Sequence, residues 1–478
     1  MAELLRPDVY VERVASGERP IATVGTSTGA FVGIAPRGEV GKAVLCSNWS
    51  EFIDNFSLGL DTPFMANSDL AYAVYGFFQN GGSRCYVTRV ASDTAAKANI
   101  KVPAETGIEF TAIDEGTWAN TNLSVEVTAN GATEFDVTVK LGTTVVETFT
   151  GCSNTATADN YYDILINGVS KYITVELLKT LAVGTGVFAG GADGISDLVD
   201  ADYLGDNGIE SLDGIDVNLI AIPGQTSDSV LDGITAYCGS REDCFAILDA
   251  PMNKTVQEMV AVKENLNASD YGALYYPWIK VIDPLSSVGR LRLTPPSGHI
   301  MGVYARTDKK RGVHKAPAGD EATVLGVVEL ETPVGKSGIE TLNPLGVNSI
   351  IAKPNIGIVI WGARTLSSDP KRRYVSDVRF DINVEVSCRR GTSWVVFEPN
   401  DEELWKRYKG SLESFLDSAW RNGMLKGAKK EEAYYVKCDS ELNTTATIDA
   451  GKVIAEIAYA KKRPTEFVII KIVQKSAQ

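Results

Sequence analysis

Val217-Asn-Leu-Ile-Ala-Ile222, Cys244-Phe-Ala-Ile-Leu248 and Gly272-Ala-Leu-Tyr-Tyr-Pro-Trp-Ile-Lys-Val281 are short apolar runs separated by segments with helical spacing at 228–239 and 256–266. Runs of this length, apolar on both alternating rows, read as strands covered on both faces. Strand, helix, strand, helix, strand in that order implies crossover connections and a parallel sheet. The middle of the chain is therefore expected to be α/β. Asp249 and Asp283 each follow one of these predicted strands, where α/β enzymes hold their ligands. Pro251 and Pro284 come close behind, so strand-ending turns are the simpler reading, and no third catalytic partner stands in view.

Toward the N-terminus, Ala30-Phe-Val-Gly-Ile34 reads as a buried strand ended by Pro36-Arg-Gly38. Asn48 with Glu51 has capping-box spacing and opens a helix carrying Trp49, Phe52, Ile53 and Phe56. A second helix begins near Ser68, sets Leu70, Val74, Phe77 and Phe78 on one face, and stops at Asn80-Gly-Gly82. Cys85–Val90 returns as a strand. Between about 95 and 195 the pattern changes to period-two alternation, as in Leu123, Val125, Val127 and Phe135, Val137, Val139, Leu141. Asn130-Gly131 and Asn167-Gly168 are hairpin signals there, so a small inserted β-sandwich is expected. Beyond 345, Ile356–Trp361 reads as a strand and 376–389 as a helix. A stronger helix follows at 401–421, capped by Asn400 with Glu403 and striped by Leu404, Tyr408, Leu412, Phe415, Leu416 and Trp420. Strands are expected near 433–438 and 452–459.

The two ends carry β-prone pieces. Val9, Tyr10 and Val11 lie in Pro7–Val14, ahead of the polar Ser16-Gly-Glu-Arg-Pro20, and suggest an extended arm on a hinge. Phe467, Val468, Ile469, Ile470 and Ile472 are apolar on both rows of Pro464–Gln474. Such a strand wants cover on both faces, either within its own domain or by adding to a sheet in a neighbouring subunit.

A chain of 478 residues exceeds one core, so about three domains are expected. With 44% hydrophobic and 22% charged residues and a mean hydropathy of −0.03, the composition is globular. No run of about 18 apolar residues exists, and the start lacks a signal-peptide pattern, so a cytoplasmic protein without membrane insertion is expected. The seven scattered cysteines form no C-x-x-C pair and read as reduced core thiols. Two histidines, His299 and His314, starve most metal and acid–base schemes, and neither a metal nor a cofactor is expected. Residues 1–340 hold 24 Lys+Arg against 44 Asp+Glu, giving −20, whereas residues 341–478 hold 22 against 17, giving +5. An acidic body argues against nucleic-acid binding, and a mildly basic C-terminal part suits docking on something acidic.

Catalytic motifs match in letters only. Gly25-Thr-Ser-Thr-Gly29 spells a nucleophile elbow, but that turn needs a strand before it and a helix after, and here a strand follows. Gly335-Lys336-Ser337 resembles the tail of a phosphate-binding loop, yet Leu330 stands where its leading glycine belongs. Ser297 and His299 are close in sequence, which does not make a triad. Arg389, Arg390, Lys426, Lys429 and Lys430, like Lys406, Arg407 and Lys409, read first as wet helix faces.

Thr294-Pro-Pro-Ser-Gly-His-Ile-Met-Gly-Val-Tyr-Ala-Arg-Thr-Asp-Lys-Lys-Arg-Gly-Val-His-Lys-Ala-Pro-Ala318 resembles the signature of contractile tail sheath proteins of myovirus-type phages and related bacteriocin and injection particles. Further matches follow in order: Pro7–Glu12, Thr26–Gly38, Gly76–Val87, Asn343–Asn348, Trp361–Leu366, Phe397–Asn400 and Pro464–Phe467. The resemblance implies a multidomain α/β chain with a subtilisin-like central domain, a fold likeness that confers no protease. It implies an N-terminal arm (1–20), the α/β domain in two parts (21–94 and 196–344), an α+β C-terminal domain (345–463) and a C-terminal arm strand (464–478), while the inserted β-sandwich (95–195) rests on the alternation alone and carries no family signature. It implies stacked hexameric rings around an inner tail tube, with arms adding strands to neighbours, and baseplate and tail terminator proteins as further partners. The sheath would be assembled in a host bacterial cytoplasm as part of a virion tail, or of a bacterially encoded particle. Contraction from a metastable extended state would drive the tube through a cell envelope. Arg389, Arg390, Lys426, Lys429 and Lys430 are then candidates for facing the tube. The competing reading is an α/β hydrolase or subtilisin-like protease with a β-domain insert, resting on the parallel-sheet rhythm with Asp249 and Asp283, and labelling by a serine-hydrolase probe that is lost on Ser27 or Ser297 substitution would favour it.

Overall fold

A computed structural model gives the structure of residues 19–57, 63–102, 107–131, 134–177 and 183–466. The arm residues Val9–Val11 and Phe467–Ile472 lie outside the described residues. The chain divides into two compact units, Gly25–Arg379 and a C-terminal unit that runs from Phe380 and also holds the segment ending at Val24.

The larger unit is organised by an eight-stranded sheet. Leu219–Ala221, Phe245–Asp249 and Gly272–Tyr276 lie side by side in parallel, as the alternation of apolar runs and helices requires. Gly29–Gly33 pairs with Leu219–Ala221, and Cys85–Arg89 continues outward from it, also in parallel. Ala43–Cys46 closes that edge antiparallel. At the opposite edge Val347–Lys353 joins Gly272–Tyr276 in parallel, and Gly357–Ile360 closes it antiparallel. Chain order therefore reverses between Gly29–Gly33 and Leu219–Ala221.

Both faces are covered, which is why every residue of Gly29–Gly33, Phe245–Asp249 and Gly272–Tyr276 is buried. On one face Val230, Leu231 and Ile234 of helix Asp228–Arg241, with Met259 of helix Val256–Asn265, pack on Ile220, Ala246, Leu248 and Leu274. On the other, helices Leu70–Gln79 and Ser297–Arg311 bring Phe77 edge-on to Phe31, with ring centroids 5.5 Å apart. These two helices approach until a Cβ on Gly298 would sit 2.2 Å from the Ala73 carbonyl oxygen. The Asn48 cap forms as its spacing requires: Asn48 accepts from the Glu51 N–H at 2.9 Å, and Glu51 accepts from the Ser47 N–H at 2.7 Å.

Several expectations are corrected here. Gly272–Val281 is not one strand. It breaks after Tyr276 at Pro277, which has no N–H to offer a ladder, and Ile279–Ile282 joins a separate antiparallel sheet with Leu291–Thr294 and Val327–Leu330. Asp283 thus follows an antiparallel strand and not the parallel sheet. The stretch from 345 onward does not begin the C-terminal part. Leu274–Tyr276 needs a further partner on its outer edge, and Val347–Ser349 supplies it.

The insert is a sandwich of a four-stranded sheet (Gly184–Val187, Leu123–Asn130, Glu134–Leu141, Thr144–Ser153) and a three-stranded one (Lys97–Val102, Ile108–Glu115, Ile173–Leu177). Leu123, Val125, Val127, Phe135, Val137 and Val139 point into a shared core with Phe110 and Trp118. Asn130-Gly131 turns a hairpin as expected. Asn167-Gly168 does not. It ends the short helix Tyr162–Ile166, and the Asn167 amide bridges both backbone groups of Val175. Two arginines hold the insert to the α/β body: Arg37 pairs with Asp114 at 3.2 Å beneath the Trp118 and Tyr172 rings, and buried Arg89 donates to the Gly38 and Glu115 carbonyls.

The C-terminal unit is built on helix Glu402–Arg421 and an antiparallel pair, Tyr434–Lys437 with Glu456–Tyr459. Leu404, Trp405 and Cys438 form its core with Trp394, Tyr408 and Val453 against them. Asp401, not Asn400, caps the helix by accepting from the Leu404 N–H at 2.8 Å. Asn400 is occupied elsewhere, accepting from the Trp405 indole and donating to the Lys452 carbonyl.

Candidate assembly surface

At the carboxyl ends of the strands flanking the order reversal, an α/β enzyme would keep its ligand. Asp249 ends Phe245–Asp249, the strand next to Leu219–Ala221 on the side away from the reversal. Its carboxylate is 2% exposed and accepts from the Ser297 N–H at 2.8 Å, the Ser297 hydroxyl at 2.7 Å and the Gly224 N–H at 3.3 Å. Burial outweighs those donors and pushes the carboxyl up to about 7. The contact ties the first turn of helix Ser297–Arg311 to the end of strand Phe245–Asp249, with a carboxylate at the positive helix end. His299 lies two residues further along the same helix, buried against Gly76, and burial holds its imidazole down at about 4. Ser297 is thus committed to Asp249 and not to His299. Ser27 sits in the turn before strand Gly29–Gly33, and its neighbour Thr26 donates to Asp308 at 2.7 Å. Asp283 accepts from the Tyr72 hydroxyl at 3.1 Å. The candidates of the hydrolytic reading are dispersed, and Asp249, Ser297 and Asp283 are each in a structural contact.

The C-terminal unit offers a different kind of site. Its sheet has two strands among the described residues, so each strand presents an outer edge. Two-stranded sheets are marginal alone, and exposed edges are templates for a further strand. The pair is held firmly. Tyr434 and Val436 face inward, while Tyr459 donates to Asp381 at 2.7 Å and packs edge-on to Phe380 at 5.7 Å. Lys461 donates to the other Asp381 oxygen at 2.7 Å. The segment ending at Val24 runs beside helix Val375–Gly391: the Val24 N–H donates to Ser387 and its carbonyl accepts from Asn383, each at 3.1 Å. Gly391 leaves room for Ile21 there. Both termini of the described chain therefore root in the unit that holds the open-edged strands, a convergence that sequence periodicity carries no signal for.

Arg389, Arg390, Lys426, Lys429 and Lys430 are all exposed in this unit. They form two groups. Arg389 and Arg390 end helix Val375–Gly391, whereas the Lys426 N–H donates to the Ala460 carbonyl, next to Lys461 and its partner Asp381. Eight residues of helix separate Asp381 from Arg389, about 12 Å at 1.5 Å per residue. Lys430 lies 5.4 Å from the Tyr434 ring. Among the described residues no helix is long and apolar enough to cross a membrane.

Comparison with known proteins bears on this arrangement. Residues 197–366 match the family described as phage tail sheath protein central domain, and residues 367–475 match the phage tail sheath C-terminal domain. The first of these reaches past Val347–Lys353, in keeping with that strand's place in the large sheet. A putative prophage major tail sheath protein of Pseudomonas aeruginosa is 28% identical over 311 residues, covering 63% of this chain and 74% of that protein. The fold matches the contracted helical sheath of the anti-feeding prophage with a TM-score of 0.62 at 22% identity, over 99% of this chain and 100% of that one. It also matches the crystal structure of a sheath tail protein from Listeria innocua, with a TM-score of 0.66 at 13% identity over 92% and 96% of the two chains. With two consecutive family matches spanning the central and C-terminal regions, the chain belongs to the contractile tail sheath family.

Proposed function

We propose that this chain is the subunit of a contractile sheath, stacked as hexameric rings around an inner tube and linked by its terminal arms. The observation that carries the reading is the convergence of both termini on the unit with the open-edged strands. The arms 1–20 and 464–478, including Val9–Val11 and Phe467–Ile472, would each add a strand to the Tyr434–Lys437 and Glu456–Tyr459 pair of a neighbour. Main-chain hydrogen bonds would then hold copies together while rings move past one another. Work is stored at assembly in a metastable extended lattice and released when the baseplate opens, with the central domain packed in a subtilisin-like manner as rigid bulk. The acidic body favours this, since neighbouring bodies repel within the roughly 10 Å screening distance. Arg389, Arg390, Lys426, Lys429 and Lys430 would grip an acidic tube through exposed pairs, each about 0–1 kcal/mol, weak enough to release together. A virion tail assembled in a bacterial cytoplasm is the setting proposed, with a bacterially encoded injection particle obeying the same physics. Negative-stain microscopy of the purified chain tests the class. Rods or tubules with a helical repeat are expected, and a monodisperse monomer that turns over a small ester or peptide would overturn it.

A further inference from the structure

The cysteines scattered along the sequence do not all stay apart in the fold. Cys46 ends the edge strand Ala43–Cys46 of the eight-stranded sheet, and Cys85 begins Cys85–Arg89 beside it. The two strands run antiparallel with Cys46 directly opposite Cys85, although 39 positions separate them in sequence. Directly opposed residues share one face of a sheet, with Cβ atoms about 4.5–5.5 Å apart. A disulfide spans about 3.5–4.5 Å between Cβ atoms, so a closing movement of about 1 Å joins the pair. That movement falls at the end of the ladder, where Ser47 and Asn48 follow one thiol and Ser83 and Arg84 precede the other, all four exposed. Both thiols are free and fully buried. Burial pushes Cys46 up to about 12 and Cys85 well above the usual thiol range, so in the closed strand both are inert. Among the described residues Ala43–Cys46 pairs on one side only, and the ends of such strands open far below the free energy of global unfolding. Opening hydrates both sulfurs together.

We propose that Cys46 and Cys85 are an oxidation site, joined as a disulfide by a peroxide once the chain has left the reducing cytoplasm in which it is made. That setting rests on the sheath reading. In the opened strand end the Cys46 thiolate attacks one oxygen of hydrogen peroxide, breaking the O–O bond and forming a sulfenic acid with loss of hydroxide. The Cys85 thiolate then attacks the Cys46 sulfur and expels the sulfenic hydroxyl as the S–S bond forms. Two thiols lose two protons and two electrons, and the peroxide leaves as two waters. The bond closes a loop that holds helices Trp49–Phe56 and Leu70–Gln79, and it fastens the sheet's edge strand to its neighbour. A subunit made in a reduced form would thus be hardened outside the cell. Cys238 and Cys244 also meet, under helix Asp228–Arg241. The strand after Cys244 has neighbours on both sides, so that pair has no free edge to open.

The test holds dilute, unassembled full-length chain in equimolar hydrogen peroxide or in dithiothreitol, then unfolds, alkylates, digests and maps it without reduction. The oxidised chain should yield one linked peptide pair carrying Cys46 and Cys85, leaving five alkylated cysteines against seven in the reduced chain. Its melting temperature should rise by about 5 °C, as a crosslink closing a loop of this length gives in a unit of this size. Cys46→Ala and Cys85→Ala should each melt alike in the two treatments, a comparison within one variant that holds whatever the substitution does to stability. Seven free cysteines after peroxide, a Cys238–Cys244 link in place of Cys46–Cys85, or an unmoved melting temperature overturns the proposal. The chain is unassembled throughout, so a failure to form tubules strikes the sheath reading alone.

Discussion

Asp249 and His299 are two buried titratable groups whose burial acts in opposite directions. Asp249 is raised from 3.8 to about 7, so the folded state holds a proton that the unfolded state has lost, and stability falls as pH rises from about 4 to 7. His299 is lowered from 6.5 to about 4, so the unfolded state holds the extra proton, and stability rises over nearly the same interval. The two slopes oppose each other in the wild type. Asp249→Asn should leave the histidine slope, with Tm climbing between pH 4.5 and 6.5, and His299→Gln should leave the aspartate slope, with Tm falling. Each effect is bounded at about 3–4 kcal/mol. Parallel profiles for both variants would contradict this. Arg379 and Asp308 form a second buried constellation: the guanidinium donates at 2.6 and 3.1 Å to the carboxylate and at 2.8 Å to the Thr26 carbonyl, beneath the Tyr304 ring. Arg379→Met strands the carboxylate and should cost about 3–5 kcal/mol in denaturant unfolding, with Arg379→Met/Asp308→Leu costing less. Neither constellation is legible in the sequence, since Asp249 and Ser297 lie 48 positions apart and Arg379 and Asp308 lie 71 apart. The sequence shows only that such residues exist.

At the scale of elements, the parallel order follows from apolar runs alone, because a strand covered on both faces has no polar row to confuse the pattern. Failures fall where one residue type does two jobs. Pro277 ends a strand inside an unbroken apolar run, and Asn167-Gly168 closes a helix with the letters of a hairpin. Val347–Lys353 pairs with Gly272–Tyr276, and nothing in its own residues names that partner. The signature stretch has a packing meaning that periodicity did not show. Gly298 and Gly302 face Ala73 and Phe77 across the helix contact, where added Cβ atoms would lie 2.2 and 2.5 Å from carbonyl oxygens. Gly298→Ala should force the helices apart and destabilise by about 1–3 kcal/mol, read as a lower denaturant midpoint. An unchanged midpoint would show that the contact yields.

For the whole molecule, charge counting shows an acidic body, but the basic surplus beyond residue 340 lies in 341–379 of the larger unit (6 Lys+Arg against 2 Asp+Glu), and the C-terminal unit with the segment to Val24 holds 19 Lys+Arg against 19 Asp+Glu. Reversing Arg389, Arg390, Lys429 and Lys430 to glutamate should abolish co-assembly with the tube at low salt while leaving sheath-only polymers intact. Unchanged co-assembly and unchanged salt sensitivity would remove the proposed grip. Arm exchange between subunits is decided by microscopy of chains lacking either Met1–Val14 or Pro464–Gln478, beside the full chain. Tubules are expected from the full chain and folded, cooperatively melting monomers from both truncations; tubules from either truncation would show that the arms do not link the subunits.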